Sequence, residues 1–271
     1  MMSASYDFSG STALVTGAAG DIGRAVARRL AGSGARVALT DLPVASGRLE
    51  ATRVLCAEAG REQAVAAITA DVTDPTSVAA CLAAATDRFG TPDLVFNNAG
   101  YQGAFVATPD YPSDDFSRVI LVNVQGVFNV LRESARRMRA EGCPGSIVNT
   151  ASMAGVGGAP NMIAYCASKG AVISLTQAAS KDLAPLGIRV NAISPAFVGP
   201  GAMWDRQVEL QASAGSQYFS AEPAEVAREM IGQVPMRRLG TVDEVATTVL
   251  WLLSDDASYV TGQNIAITGG V

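Results

Sequence analysis

Residues 12–23 read Thr12-Ala13-Leu14-Val15-Thr16-Gly17-Ala18-Ala19-Gly20-Asp21-Ile22-Gly23. The apolar run at 12–15 reads as a short strand. Residues 24–33, with Ala25, Ala27, Leu30 and Ala31 at helical spacing, read as a helix. The glycines between them let backbone approach a ligand closely, and the helix that follows presents unpaired N–H groups to an anion. Strand, glycine-rich turn and helix in that order is the context in which such a motif signals a site for a dinucleotide pyrophosphate. A second strand, Arg36-Val37-Ala38-Leu39-Thr40-Asp41, then ends in a carboxylate. A carboxylate there accepts hydrogen bonds from both adenosine ribose hydroxyls and repels a 2′-phosphate, which predicts NAD over NADP. Arg48 lies too far along the next segment to favour NADP, and the alternative role of Asp41 is to cap a loop.

Working outward, strand and helix keep alternating. Residues 46–59 read as helix and 64–69 as a third strand, followed by Asp71-Val72. Asp74-Pro75 is an N-cap carboxylate with proline at the first helical position, and Gly90 closes that helix. Asp93-Leu94-Val95-Phe96 is a fourth strand running into Asn97-Asn98-Ala99-Gly100. Residues 113–140 carry one long helical pattern that includes Asn123. Residues 146–150 form a fifth strand, residues 164–184 a helix and residues 187–193 a sixth strand that meets Ser194-Pro195-Ala196. From 197 to 238 the alternation stops, with short helices near 203–212 and 223–233. Thr241-Val242-Asp243-Glu244 then makes a capping box for a further helix, and Asn264-Ile265-Ala266-Ile267 is the closing strand. This predicts a doubly wound α/β Rossmann fold: a mostly parallel seven-stranded sheet, helices on both faces, ligands at the strands' C-terminal ends. The expected organisation is one domain over residues 1–271 with an insert at about 197–238 covering the substrate.

Composition narrows the chemistry. The chain has no histidine, and its four cysteines, Cys56, Cys81, Cys143 and Cys166, are scattered, so no metal site is expected and the thiols read as reduced packing groups. A net charge of −5 argues against a nucleic-acid partner. Apolar stretches are interrupted before the roughly 20 residues a membrane span requires. The first ten residues show no basic segment followed by an apolar one, so the expected home is the cytoplasm.

Without histidine, the search for an acid or base turns to tyrosine, lysine and carboxylates. Tyr165 and Lys169 stand at i, i+4 on the helix after the fifth strand, on one face. An ammonium beside a phenol favours the phenolate and lowers its pKa from about 10, which suits a base for an alcohol. Ser152, at the end of the fifth strand, can converge on the same small volume. Lys169 and Lys181 are the only lysines.

Taken together, the turn at 16–23, Asp71, Asn97-Asn98-Ala99-Gly100, the set Asn123, Ser152, Tyr165 and Lys169, and Pro195 after the sixth strand make the chain similar over its whole length to the short-chain dehydrogenase/reductase family. That resemblance implies NAD-dependent interconversion of a secondary alcohol and a ketone. Tyr165 would exchange the proton, Ser152 would hold the reacting oxygen, and Lys169 would hold the nicotinamide ribose and lower the tyrosine pKa. Asn123 would anchor a water that links Lys169 to solvent. Gly17, Gly20, Asp21, Ile22, Gly23, Asp41, Asp71, Val72, Asn98, Ala99, Gly100, Tyr165, Lys169, Pro195 and Val198 would contact the cofactor. The chain departs from the pattern at Asp21, where the family has glycine; at Ala196 and Pro200, where it usually has glycine and threonine near the nicotinamide amide; and at Thr268, where aspartate is more common. The spacing of Gly17, Gly20 and Gly23 matches the extended, sugar-nucleotide branch, but the length and the Asn-Asn-Ala-Gly motif favour the shorter branch.

Within the family, residues 96–105, 111–116 and 199–219 resemble bacterial NAD-dependent xylitol dehydrogenases, which implies a polyol substrate. Gln102, Asn161, Gln207 and Tyr218 are candidates for hydrogen bonds to its hydroxyls, and equally for structural ones. Trp204 and Met203 are candidates for an apolar wall or for core. Alternative readings are a reductase of another carbonyl, such as a 3-oxoacyl thioester or cyclic ketone, and a non-catalytic NAD-binding redox sensor. Apolar residues on several faces of the tyrosine helix (Ala171, Val172, Leu175, Ala178, Ala179) suggest a homo-oligomer, and the resemblance implies a tetramer.

Overall fold

The computed structural model describes residues 5–271. In chain order the elements are β1 (Thr12–Thr16), α1 (Asp21–Gly32), β2 (Arg36–Asp41), α2 (Ser46–Ala59), β3 (Val65–Thr69), α3 (Pro75–Phe89), β4 (Leu94–Asn97), α4 (Ser113–Ile120), α5 (Val127–Glu141), β5 (Gly145–Thr150), α6 (Ala154–Gly157), α7 (Ile163–Leu183), β6 (Ile188–Pro195), α8 (Ala202–Ser213), α9 (Pro223–Gln233), α10 (Val242–Leu253) and β7 (Asn264–Ile267). The seven strands form one sheet in the order β3-β2-β1-β4-β5-β6-β7, and every pair is parallel.

The strands are apolar on both faces because helices cover both faces. Alternate residues divide between two cores: Val15, Phe96 and Val148 pack with α1 and α10 residues such as Leu30 and Leu250. Their neighbours Leu14, Val95 and Ile147 pack with α3 and α5 residues such as Leu82 and Met138. Phe96 is fully buried at the sheet centre, where truncation to alanine costs about 3–5 kcal/mol. The strand order reverses between β1 and β4, whose register sets Val15 beside Phe96, so their C-terminal ends part and leave a crevice.

Several termini are set by the residues that predicted them. Asp74 accepts from the Thr76 N–H at 2.8 Å to cap α3, and Gly90 ends it at φ +87°. Thr241 and Glu244 form the reciprocal capping box of α10. One stretch differs: the pattern over 113–140 predicts one helix, whereas α4 and α5 are joined by a π-helical turn, Leu121–Gly126, that contains Asn123. Such turns widen the hydrogen-bond ladder locally and recur at functional sites.

The segment after β6 departs from the alternation of strand and helix. Its two ends are tied together where the Gly240 N–H donates to Phe197 O and the Gly199 N–H donates to Gly240 O, both at 2.9 Å. Between those ties α8 and α9 enclose a small core of their own: Trp204, Val208, Ala212, Val226 and Met230.

Candidate active site

A cavity of about 1050 Å³ opens at the C-terminal ends of the strands, lined from the glycine turn at one end to α8 at the other. At the first end Gly17 adopts φ +63°, and a side chain there would press on Asn98 and Ala99. α1 starts without a side-chain cap, which leaves the N–H groups of its first turn free for an anion. These features fit a dinucleotide pyrophosphate. Gly20, Asp21 and Ile22 line the cavity. Gly23 does not: its Cα packs on the Gly17 carbonyl, where any side chain would overlap it. Asp41 accepts from the Ala19 N–H at 2.9 Å and the Leu42 N–H at 2.8 Å. It therefore caps the glycine turn while facing the cavity, and Arg48 also reaches the lining. Asp71 holds Thr73 through the Thr73 N–H at 2.9 Å and hydroxyl at 2.7 Å, and with Val72 lines the same end.

The strand ends are braced by a buried polar ladder. The Thr16 hydroxyl accepts from the N–H groups of Asn98 and Ala99 at 2.8 and 2.9 Å. The Asn97 amide donates to Asn149 at 3.1 Å, and Asn149 donates to Thr176 on α7 at 3.0 Å. This holds the cavity-facing loop after β4 against β1 and α7.

Ser152, Tyr165 and Lys169 meet at the middle of the cavity. Lys169 is 2% exposed and donates to the Thr150 carbonyl at 2.7 Å. Its Nζ lies 5.5 Å from the Tyr165 ring centre. Burial pulls the Lys169 pKa down to about 8. Burial also pushes the Tyr165 phenol up to about 12, opposed by a hydrogen bond from Ser152. Loss of hydration thus dominates the shift of the phenol, and the Lys169 ammonium is turned to Thr150 across the ring face. Asn123 is fully buried and does not line the cavity. It accepts from the Tyr101 N–H at 2.7 Å and donates to Tyr101 O at 2.8 Å and Ser168 Oγ at 2.9 Å. The Ser168 hydroxyl in turn donates to Tyr165 O at 2.8 Å. Asn123 thus ties the loop after β4 to the tyrosine helix.

At the far end Gln102 lines the cavity and its Nε2 donates to Gln207 Oε1 on α8 at 3.4 Å. Two expected substrate residues stand elsewhere. Trp204 is buried on the stripe Trp204, Val208 and Ala212, i, i+4, i+8 on the inner face of α8, edge-on to Phe197 at 6.0 Å between ring centres. Asn161, at φ +66°, donates to Gln211 Oε1 at 2.9 Å and Ser216 Oγ at 3.1 Å, latching its loop to α8. Tyr218 is exposed and outside the lining. The cavity face of α8 is instead Met203, Arg206, Gln207 and Gln211. Of these, the sequence reading did not single out Arg206, although the i, i+3, i+4 spacing from Met203 marks it. Pro195 and Val198 line the cavity, together with Ala196, whose N–H is taken by Ile267 O at 3.0 Å.

Residues 17–271 match the family model described as "Enoyl-(Acyl carrier protein) reductase". The chain is 52% identical to the NAD+-bound structure of a xylitol dehydrogenase, covering 97% of this chain and 99% of that one with a TM-score of 0.93. It is 38% identical to levodione reductase of Leifsonia aquatica, over 97% of this chain and 94% of that protein. It is 35% identical to (3R)-3-hydroxyacyl-CoA dehydrogenase of Homo sapiens, over 96% of this chain and 94% of that protein. The chain belongs to the short-chain dehydrogenase/reductase family, and is an oxidoreductase.

Proposed function

We propose that this short-chain dehydrogenase/reductase uses NAD to oxidise a secondary alcohol of a polyol such as xylitol, giving D-xylulose. The observation that carries the reading is one cavity with an acceptor carboxylate at the cofactor end, Ser152, Tyr165 and Lys169 at its middle, and the amides of Gln102 and Gln207 at its far end. A site that offers hydrogen-bond partners to several hydroxyls discriminates against analogues lacking them. The likeness to a xylitol dehydrogenase supports the same substrate class.

Bound NAD supplies the hydride acceptor. The N–H groups at the start of α1 would hold its pyrophosphate, Asp41 the adenosine ribose, and Asp71 and Val72 the adenine. Tyr165 and Lys169 would hold the nicotinamide ribose. Ser152 donates a hydrogen bond to the reacting oxygen, and Tyr165 takes the hydroxyl proton as the carbon gives up hydride. Lys169 stabilises the phenolate electrostatically, and Asn123 positions Tyr165 through Ser168. Residues 197–238 act as a lid on the substrate end.

A second reading, reduction of a 3-oxoacyl thioester or a cyclic ketone, has support from two of the relatives and from Arg206. Arg206 lines the cavity without an ion-pair partner among the described residues, so it could receive an anionic group. No helix among the described residues is long and apolar enough to cross a membrane, and we place the protein in the cytoplasm. Exposed Phe116, Leu121 and Phe128 on the α4–α5 face support burial against further copies in a homotetramer, which light scattering tests. The functional test is NADH or NADPH formation with xylitol, sorbitol, galactitol, cyclohexanol and a 3-hydroxyacyl thioester. Rapid oxidation of xylitol with NAD alone is expected; turnover confined to the thioester or cyclohexanol overturns the polyol reading.

A further inference from the structure

The loop after β4 is pinned on both sides of Gln102. Tyr101 is held by Asn123 through the two backbone hydrogen bonds described above. On the other side the Ala104 N–H donates to Asp115 Oδ2 at 2.8 Å. The same carboxylate accepts from Tyr111 Oη at 2.7 Å, and its Oδ1 accepts from Tyr101 Oη at 3.0 Å. Gly103, between the ties, is at φ +76° and so close to Asp115 and Tyr111 that a side chain would strike both. Arg118 lies 4.7 Å above the Tyr101 ring. Asp115 is half-buried and in the first turn of α4, yet it reaches back to the loop instead of capping its own helix. Ionised, it is an acceptor only, matched to three donors.

We propose that Asp115 is a positioning residue for substrate selection, clamping the loop of residues 101–111 so that Gln102 is presented to the substrate end of the cavity opposite Gln207. Asp115 does not line the cavity, whereas Tyr101 and Gln102 of the loop it holds do, and its effect on substrate is assigned to Gln102. Gln102 reaches α8 through its hydrogen bond to Gln207, and the free amide positions of Gln102 and Gln207 offer a donor and an acceptor side by side to adjacent hydroxyls. This rests on the polyol reading. Releasing the clamp frees the direction of Gln102 and leaves Ser152, Tyr165 and Lys169 in place.

The test is a double-mutant cycle with the full-length protein and NAD. Asp115→Ala is expected to raise the xylitol KM about tenfold, in keeping with what small misplacements cost. The KM for cyclohexanol should change by less than about twofold and kcat for either by less than about threefold, within ordinary mutational scatter. In a Gln102→Ala background, Asp115→Ala should add less than about twofold to the xylitol KM, because a positioning effect vanishes with the group it positions. Additive effects, or equal effects on both alcohols, overturn the proposal as a merely structural role. If Asp115→Ala does not accumulate folded, Tyr111→Phe, which lies outside the cavity lining, deletes one tie and should couple to Gln102→Ala with smaller amplitude; additivity there overturns it equally. A wild-type protein that oxidises no polyol sinks the polyol reading instead. The cycle is then run on the alcohol it does oxidise, where absence of coupling between positions 115 and 102 sinks the clamp.

Discussion

Gly155→Ala probes whether the meeting of Ser152 with Tyr165 and Lys169 is set by backbone packing. Gly155 follows Ser152 by one turn, and its N–H donates to Ser152 O at 2.9 Å. An added methyl would lie 2.5 Å from the Lys169 carbonyl carbon and 2.6 Å from the Gly170 nitrogen, whereas ordinary contact begins near 3.4 Å. Those atoms are backbone and cannot rotate away, so α6 and α7 must separate by about 1 Å; overpacking of this kind costs about 1–3 kcal/mol. For a chain of this size the melting temperature should fall by about 2–10 °C. The separation moves Ser152 away from Tyr165, and a misplacement of about 1 Å is expected to lower kcat about a hundredfold. The adenosine half of the cleft is remote from α6, so the NAD dissociation constant should move by only about threefold. Gly157→Ala is the control, since a methyl there meets nothing within 4 Å. The assays are kcat at saturating NAD and alcohol, calorimetric titration of NAD and a thermal scan. Undiminished kcat in Gly155→Ala, with or without lost stability, would refute the idea that α6 sets this geometry.

Further expectations concern the cofactor, pH and the scaffold. Asp41→Ser removes the charge opposed to a 2′-phosphate while Arg48 still faces the cavity, so the ratio of kcat/KM for NAD over NADP should fall about a hundredfold, as loss of a charged acceptor implies; a change below about threefold counts against Asp41 as the discriminator. Lys169 is the first of the Tyr165–Lys169 pair to release a proton, at about 8. One tautomer of that state is phenolate beside ammonium, so kcat/KM for oxidation should rise with pH and level off near 8, the value belonging to the pair. A rise continuing toward pH 12 would mean that Tyr165 titrates alone. Arg189 donates to the carbonyls of Leu252, Leu253, Ser254 and Val260, satisfying the C-terminal end of α10. Arg189→Met should lower stability by about 2–4 kcal/mol with unchanged KM values, and an unaltered denaturant midpoint would contradict it.

The parts of this molecule legible in the sequence are those determined by near neighbours. The turn at 16–23, the Asp74 cap, the Thr241–Glu244 box and the alternation of strands each depend on a few consecutive residues. The Tyr165–Lys169 pair is likewise i, i+4. What the sequence left open depends on packing. Trp204 reads equally as cavity wall or core, and its stripe with Val208 and Ala212, facing the core of the 197–240 segment, decides for the core. Asn161 reads equally as a substrate or a structural hydrogen-bonding group, and its positive φ with its bonds to Gln211 and Ser216 make it a latch. The π-helical turn at Asn123 leaves no mark on the apolar pattern, and the direction of the Tyr165 shift is decided by burial that no spacing records.

The same division separates reaction from substrate. Proton and hydride transfer need a phenol, an ammonium and a hydroxyl at the ends of β5 and α7, which are adjacent in chain and space, so short motifs carry them. Discrimination among alcohols needs a wall opposite those groups. In the reading proposed above that wall joins Gln102 to Gln207, 105 residues apart, and its loop would be steadied by a carboxylate that reads as an ordinary first-turn helix acid. On that reading a single substitution at 102, 115 or 207 would retune the far end while every motif of the family stays intact. The Gln102–Asp115 coupling is therefore where a change of substrate would be engineered first.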